Sequence, residues 1–322
     1  MKRRVIFWPQ NVRSPSAEFF SLILRERLHE RFEIITDAER GRISELSSDD
    51  ILIIHGRDKD RASTIKESPS RKILLEPRRY FKHDFALYDK IVYGSVEAKL
   101  SLELDNRELL NKEKLIFPPF CPVAPSQRQH LKKSGNLIKL VYFGNKVHWE
   151  KFLPKFEVIV SLLILRGFEI DLMLISGARL LRPEKRNGLT VNLFPFSCKI
   201  MNDLGYQDVG LVPQLDDGDF CGNKTIAFRF QSWLEKMLER DVRVVKSKGS
   251  TNLGRHLNFS LVGIPCVSDP SVSACCFEPK FGRVATSAES WVESILQLRS
   301  SGFRPSLHYE FPVDKLVSFF DS

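Results

Sequence analysis

The first half of the chain alternates short apolar runs with amphipathic segments. Residues 51–54 form a continuous apolar run, which is typical of parallel strands buried on both faces, whereas Phe20, Leu24 and Leu28 fall on one face of a helix. This pattern predicts helices over 17–29 and 96–111. It also predicts strands over 4–8, 32–36, 50–55, 71–75, 90–93 and 114–117.

The second half repeats this pattern after a proline-bearing polar stretch over 118–136, which we interpret as an inter-domain linker. Strands are predicted over 137–143, 168–175, 190–194, 209–212, 242–245, 264–267 and 284–285. Helices are predicted over 152–166, 253–261, 288–300 and 313–320.

Strands that alternate with helices favour open, mainly parallel α/β sheets. The fold prediction is therefore two doubly wound, Rossmann-like domains that face a cleft. The first covers 1–117 and the second 137–310, and a final helix within 311–322 is expected to pack back on the first domain. In such sheets ligands bind outside the carboxyl ends of the strands.

The composition favours some classes of binding partner but does not select one. The formal charge of +9 favours anionic partners such as phosphorylated substrates or an acidic membrane surface. No nucleic-acid-binding module is recognisable, so a nucleic-acid partner is not expected. The six cysteines have no C-x-x-C spacing, which argues against zinc and fits free thiols in a reducing cytosol.

The membrane signals in the sequence are weak. The apolar run after the basic start ends at Pro9, too early for a signal peptide, and no window reaches the roughly 20 apolar residues of a spanning helix. We expect a cytoplasmic protein whose contact with the inner membrane face is at most peripheral.

A basic loop followed by a helix start lies at 246–255. Unpaired backbone N–H groups and the helix dipole make a helix N-terminus favourable for anions. The side-chain hydrogen-bond donors in this segment are Lys248, Thr251, Asn252 and Arg255. This segment is the predicted anion site, and the alternative is a capped, solvated helix start.

Three fragments, in order, resemble the C-terminal domain of GT-B glycosyltransferases of the glycosyl transferases group 1 type. They are LVYFGN at 140–145, DVGLVP at 208–213, and the Lys248–Arg255 loop and helix followed by GIPCV at 263–267. The resemblance covers roughly 137–300 and implies the GT-B fold. It also implies a nucleoside diphosphate sugar as donor.

The chain departs from this resemblance at two positions. Many retaining members carry two glutamates eight residues apart, and here Ser250 and Asn258 stand in their places. An amide can still hydrogen-bond a ribose hydroxyl. The stereochemistry of transfer, retaining or inverting, therefore stays open.

Donor-binding roles follow from the resemblance. Lys248 and Arg255 are expected to hold the diphosphate, with backbone N–H groups at Thr251 and Asn252. Gly144 and Asn145 are expected to let the backbone approach the phosphates, and Lys146 adds a cation beside them.

The acceptor needs a general base, and the sequence offers several. His55 ends an apolar strand at its carboxyl end, where catalytic groups of open sheets gather, and His148 follows the Gly144 loop. We name these two histidines as catalytic candidates. The carboxylates Asp37 and Glu76 follow other strands and are equally good candidates for the base.

A metal ion is not expected. Asp217 and Asp219 form a D-x-D sequence, which holds a divalent cation on a sugar diphosphate in another glycosyltransferase class. The run equally suits a surface turn, and two sheets argue against a single-domain fold. We therefore predict no cofactor besides the donor substrate.

The function that these patterns favour is hexosyl transfer from a sugar nucleotide to a polysaccharide or lipid-linked acceptor. A non-catalytic GT-B-like binding module is the first alternative, because both glutamates are missing. A sugar-nucleotide 2-epimerase, which shares the fold, is the second alternative.

Overall fold

The computed structural model describes residues 2–9, 15–36, 43–56, 61–77, 83–120, 135–197, 200, 204, 206–214 and 253–322. These residues divide into two compact units. Unit 1 lies within 1–127, 252–262 and 306–322, and unit 2 lies within 128–251 and 263–305.

Unit 1 is built on a sheet of six parallel strands in the order β2-β1-β3-β4-β5-β6. Residues 51–54 of β3 are completely buried, as a continuous apolar run in a central parallel strand requires. The strands are β1 (Arg3–Pro9), β2 (Phe32–Ile35), β3 (Ile51–His55), β4 (Arg71–Leu75), β5 (Lys90–Tyr93) and β6 (Glu113–Ile116).

The helices described between these strands are α1 (Pro15–Leu28), α2 (Ala62–Glu67) and α3 (Val96–Asp105). The predicted helix over 96–111 is wrong in its second half. Asn106 has an extended backbone and donates from Nδ2 to the Leu102 carbonyl oxygen at 2.9 Å, which ends α3. A short 3-10 helix, Arg107–Asn111, follows.

Unit 1 also contains two segments from the end of the chain, α5 (Gly254–Leu261) and α8 (Val313–Asp321). Lys90 is buried and donates from Nζ to the Phe319 carbonyl oxygen at 2.7 Å. A lysine at the last turn satisfies free carbonyls and complements the helix dipole. Phe319 and Phe320 are both buried in this packing.

Asp50 ties the start of β3 to β1. It accepts hydrogen bonds from the Arg4 backbone N–H at 2.8 Å, from the Arg4 guanidinium at 2.7 Å and from the Ser47 backbone N–H at 2.8 Å. Burial alone raises the pKa of Asp50, but these donors outweigh it and lower the pKa from 3.8 to about 2.

The lowered pKa of Asp50 predicts a loss of stability in acid. A carboxyl whose folded-state pKa lies below its unfolded value stabilises the fold above the unfolded pKa, and this contribution is lost as the pH falls through the folded pKa. Between pH 4 and pH 2 the free energy of unfolding should fall by about 2 kcal/mol through this group. Urea unfolding at several pH values measures it. The Asp50→Asn variant should lack this part of the loss, and equal losses in both proteins would contradict the prediction.

Unit 2 is built on a second sheet of six parallel strands, in the order β9-β8-β7-β10-β11-β12. Counted within the unit this order is 3-2-1-4-5-6, that of dinucleotide-binding α/β folds. The strands are β7 (Leu137–Phe143), β8 (Glu169–Ser176), β9 (Leu189–Pro195), β10 (Val209–Val212), β11 (Cys266–Ser268) and β12 (Gly282–Val284). The prediction of two mainly parallel, doubly wound sheets is confirmed.

The helices described in unit 2 are α4 (Lys146–Leu165), α6 (Val272–Phe277) and α7 (Ala288–Ser301). The sequence interpretation began α4 at residue 152, six residues late, because it missed the cap at Asn145. The core of the unit is aromatic where α4 meets the sheet. The Trp149 ring centroid lies 5.0 Å from that of Tyr142 and 5.1 Å from that of Phe156.

Gly282 lets β12 pair closely with β11. Its φ is +150°, and a Cβ atom at this position would lie 2.0 Å from the Cys266 carbonyl oxygen. Any other residue would therefore force the two strands apart.

Two further boundaries differ from the sequence interpretation. Residues 118–120, assigned to the linker, are buried, and the Phe117 and Phe120 rings lie 5.6 Å apart within unit 1. Residues 121–134 lie outside the described part. The 254–262 segment, assigned to the second domain, is grouped with unit 1. Across the described ranges no helix is both long enough and apolar enough to cross a bilayer.

Candidate active site

The order of the strands in unit 2 reverses direction between β7 and β10. Ligands of open α/β sheets bind outside the carboxyl ends of the strands at such a switch point. Here these ends are Phe143 and Val212. Gly144 follows β7 directly and donates its N–H to the Ile175 carbonyl oxygen at 3.1 Å. Predicted residues Gly144, Asn145 and Lys146 therefore lie at this switch point.

Asn145 caps α4. Its side-chain oxygen accepts from the Val147 N–H at 3.0 Å, and its backbone carbonyl accepts from the Tyr142 hydroxyl at 2.6 Å. The exposed Lys146 ammonium lies 3.4 Å from a Glu150 carboxylate oxygen. Asn145 therefore fixes the start of the helix, and Lys146 forms an ion pair with the Glu150 carboxylate one turn later.

His148 is buried. It lies in the first turn of α4, and only 8% of its surface is exposed. The neighbouring Trp149 is fully buried and donates from Nε1 to the Leu181 carbonyl oxygen at 2.7 Å. The first turn of α4 is thus anchored in the core of unit 2. His148 stays a prediction as a catalytic residue.

Much of the predicted diphosphate site lies outside the described residues, namely Lys248, Thr251 and Asn252. The other site candidates that fall there are Asp37, Asp217, Asp219 and Ser250. Among the described residues no group of three or more His, Cys, Asp or Glu side chains could hold a metal ion.

Arg255 is described and lies in the first turn of α5. The adjacent His256 is fully buried, and burial, reinforced by the Arg255 charge, lowers its pKa to about 3, so it is neutral at physiological pH. Asn258 is also buried. Ser260 links this helix to a 3-10 helix near the end of the chain, Leu307–Glu310, because its Oγ lies 3.0 Å from His308 Nδ1.

In unit 1 the strand order reverses between β1 and β3. The last residues of these strands, Pro9 and His55, are partners in the parallel register. The sequence interpretation of His55 as the carboxyl end of a strand is therefore confirmed by its position. Its role in catalysis stays a prediction.

His55 is buried and paired with a buried carboxylate. Only 5% of His55 and 7% of Glu76 is exposed, and His55 Nε2 lies 3.2 Å from Glu76 Oε2. The Ser16 hydroxyl oxygen lies 3.2 Å from the same nitrogen. The rings of Phe7 and Phe20 flank the imidazole at centroid distances of 6.2 Å.

These contacts differ from a serine hydrolase triad. In a triad the serine and the acid contact opposite ring nitrogens, so that a proton passes across the ring. Here Ser16 and Glu76 both contact Nε2. The group therefore lacks the arrangement that activates a serine nucleophile.

Arg61 holds the two strand ends at this switch point. Its guanidinium donates to the carbonyl oxygens of Trp8 at 2.6 Å and His55 at 3.2 Å. It also stacks over the Trp8 ring at 4.9 Å, a favourable cation–π distance. Sequence reasoning missed Arg61 and Ser16, because neither lies in a recognisable motif. Glu76 was considered only as one of several carboxylates after strands.

No protein-family model and no curated protein sequence matches the chain. Solved structures do match. A glycosyltransferase from Rickettsia africae is 11% identical, with a TM-score of 0.54, over 99% of this chain and 93% of that chain. A Listeria monocytogenes protein described as a putative UDP-N-acetylglucosamine 2-epimerase is 10% identical, with a TM-score of 0.50. The match covers 98% of this chain and 95% of that chain.

The pneumococcal O-GlcNAc transferase GtfA, solved with UDP and GlcNAc, is 10% identical with a TM-score of 0.50. The match covers 87% of this chain and 57% of that chain, so this chain spans little more than half the length of GtfA. At these identities the similarity concerns the fold. The two parallel sheets and these matches together show that the chain has the GT-B fold of glycosyltransferases.

Proposed function

We propose that this protein is a glycosyltransferase of the hexosyltransferase type, which moves a sugar from a nucleoside diphosphate sugar to a hydroxyl group of a polysaccharide or lipid-linked acceptor. The observation that carries the proposal is the buried His55–Glu76 pair at the switch point of unit 1, in a chain with the GT-B fold. Catalytic groups of open α/β sheets gather at such positions.

The pair suits the acceptor side of the reaction. A sugar acceptor must lose its hydroxyl proton as its oxygen attacks the anomeric carbon, and a positioned imidazole can take that proton. Protonated His55 is then a cation 3.2 Å from the Glu76 carboxylate.

The donor side must stabilise the departing nucleoside diphosphate. Two groups of residues are proposed for this role, the α4 start with Gly144, Asn145 and Lys146, and the segment with Lys248, Thr251, Asn252 and Arg255. Backbone N–H groups at a helix start and cationic side chains both favour phosphate. Because these cations supply positive charge, we propose transfer without a metal ion or other cofactor.

The proposed location is the cytoplasm, with peripheral contact at an acidic inner membrane face. The net charge of +9 supports such contact, since clustered anionic lipids attract basic proteins. A lipid-linked acceptor would be reached from that surface. Nucleic acid is not proposed as a partner.

Sugar-nucleotide binding tests the proposal directly. Calorimetric titration with a panel of UDP-, GDP- and TDP-sugars should reveal one that binds. Replacing Lys248 and Arg255 together by alanine should then weaken its binding by about 2–3 kcal/mol, because charge-assisted contacts to phosphate are lost. The matched control is the double replacement Arg166→Ala and Lys185→Ala, which removes two exposed cations. A non-catalytic module would bind none of these nucleotides, and that result would contradict the proposal.

A 2-epimerase is the second candidate, because one of the matching structures is assigned to that activity. An epimerase changes the donor sugar in the absence of any acceptor, whereas a transferase releases sugar only slowly to water. Chromatography of the sugar nucleotide after incubation without acceptor separates the two functions.

A further inference from the structure

Glu76 has an unusual backbone conformation. Its φ is +48°, and it is the one residue other than glycine with a positive φ in the part of the chain that the structure describes. Residues with a side chain seldom adopt this left-handed conformation, because Cβ crowds the backbone. Such an outlier persists only where the surrounding structure enforces it, and these outliers concentrate at functional sites.

Neighbouring strands hold both the backbone and the side chain of Glu76 in place. Glu76 follows β4 directly, and its N–H donates to the Val92 carbonyl oxygen at 2.8 Å, which continues the pairing with β5. The left-handed turn lies within the pairing that holds the sheet together. Its side chain is buried and ends at His55 on the neighbouring strand.

Gly94 provides the space that the carboxylate occupies. A Cβ atom on Gly94 would lie 2.6 Å from Glu76 Oε1 and 3.3 Å from Glu76 Cγ. Gly94 itself does not need a positive φ, since none is found there. The absence of a side chain at Gly94 therefore serves the Glu76 carboxylate and not the backbone of the turn.

The carboxylate decides which nitrogen of His55 carries the proton. An ionised carboxylate can only accept hydrogen bonds, so a ring nitrogen 3.2 Å away must donate to it. The contact with Ser16 does not oppose this, because a hydroxyl can accept as well as donate. Nε2 then bears the proton and Nδ1 keeps the lone pair. His55 Nδ1 is buried and has no hydrogen-bond partner among the described residues.

We propose that Glu76 is a positioning residue that holds His55 as the Nε2-protonated tautomer, with Nδ1 left to accept a proton, and that Gly94 is required for this because it leaves room for the carboxylate. The catalytic part of this inference rests on the function proposed above. In the reaction the acceptor O–H bond breaks, its proton passes to Nδ1, which acceptor binding must first uncover because it is buried in this structure, and the oxygen bonds to the anomeric carbon as the nucleoside diphosphate departs.

The tautomer can be measured without any substrate. Long-range ¹H–¹⁵N spectra of the full chain, labelled at histidine, distinguish a protonated ring nitrogen from a bare one, and the His55→Gln variant assigns the signals of His55. In the wild-type protein at alkaline pH we expect the proton on Nε2. In Gly94→Ala, where the new Cβ displaces the carboxylate, a mixture of the two tautomers is expected.

Three further variants make the test specific. Gly177→Ala is the matched control and should leave the spectrum of His55 unchanged, because a Cβ there meets nothing within 4 Å. Glu76→Gln should also give a mixture, since an amide can donate to the ring as well as accept. In a Glu76→Ala background, Gly94→Ala should cause no further change, because the group that it displaces is gone.

Two results would overturn the proposal: a wild-type ring protonated on Nδ1, or folded Gly94→Ala and Glu76→Gln variants that both keep the wild-type tautomer. With a sugar nucleotide that binds, Gly94→Ala should lower kcat on the order of 10- to 100-fold at unchanged KM, as small misplacements of a catalytic group do. If no nucleotide binds but the tautomers behave as expected, the proposed function fails while the positioning by Glu76 stands. If the protein transfers sugar but Gly94→Ala and Glu76→Gln keep the wild-type tautomer of His55, the positioning role of Glu76 is wrong while the proposed function stands.

Discussion

Replacing His55 by alanine should lower kcat for sugar transfer by about 10²- to 10⁴-fold, the usual contribution of a general base. The variant removes the proposed proton acceptor and leaves unchanged the residues that we propose to bind the donor. Binding of the sugar nucleotide should therefore stay within about twofold of wild type, because a general base acts in the chemical step and not in donor binding. Initial rates of nucleoside diphosphate release, at saturating donor with and without acceptor, measure this effect.

The comparison with His148 makes this result decisive. His148→Ala changes the second histidine that the sequence suggests, and this residue is buried in the first turn of α4. This variant should lower the free energy of unfolding and leave kcat of the folded protein nearly unchanged. If His148→Ala lowered kcat by the larger factor while both variants remained folded, the base would lie in unit 2 and the assignment of His55 would be wrong.

Replacing Trp149 by alanine should lower the free energy of unfolding by about 3–5 kcal/mol. The side chain is fully buried and lies between Tyr142 and Phe156, so truncation leaves a cavity that rigid aromatic neighbours do not fill. It also removes the Nε1 hydrogen bond to the Leu181 carbonyl oxygen. Urea unfolding followed by circular dichroism measures the loss.

Trp149→Phe separates these two contributions. Phenylalanine fills most of the space but lacks the N–H group, so it should cost about 1–2 kcal/mol, the value of one buried hydrogen bond with an unsatisfied partner. An alanine variant within 1 kcal/mol of wild type would show that the core around α4 can collapse. Because Trp149 anchors the first turn of α4, the alanine variant should also bind the sugar nucleotide more weakly at temperatures where it stays folded.

Much of the fold could be predicted from the sequence. The continuous apolar run at 51–54 specifies a buried parallel strand, since only a strand covered on both faces tolerates it. The bounds of β4, β5, β7 and β10 agree with the predicted ranges because turn residues or charges flank each run. Boundaries were missed where a single cap decides them, as Asn145 does for α4 and Asn106 for α3.

The candidate site divides in the same way. Periodicity and chain order placed His55 and Gly144 at the carboxyl ends of strands, and the parallel sheets confirm both positions. The order of strands is what brings Pro9 beside His55, and periodicity does not contain that order. The grouping of α5 with unit 1 is likewise set by contacts between segments that are distant in the chain.

By itself the sequence determined which segments become strands and helices, because hydrophobic periodicity and local turn chemistry act over a few neighbouring residues. The pairing of His55 with Glu76, 21 residues later, was decided only by the tertiary structure. The parallel register sets His55 opposite Leu75, so that Glu76 emerges one position beyond the histidine at the same edge of the sheet. The left-handed turn at Glu76 and the missing side chain of Gly94 then direct the carboxylate onto the ring, and both depend on contacts between strands that no local pattern records.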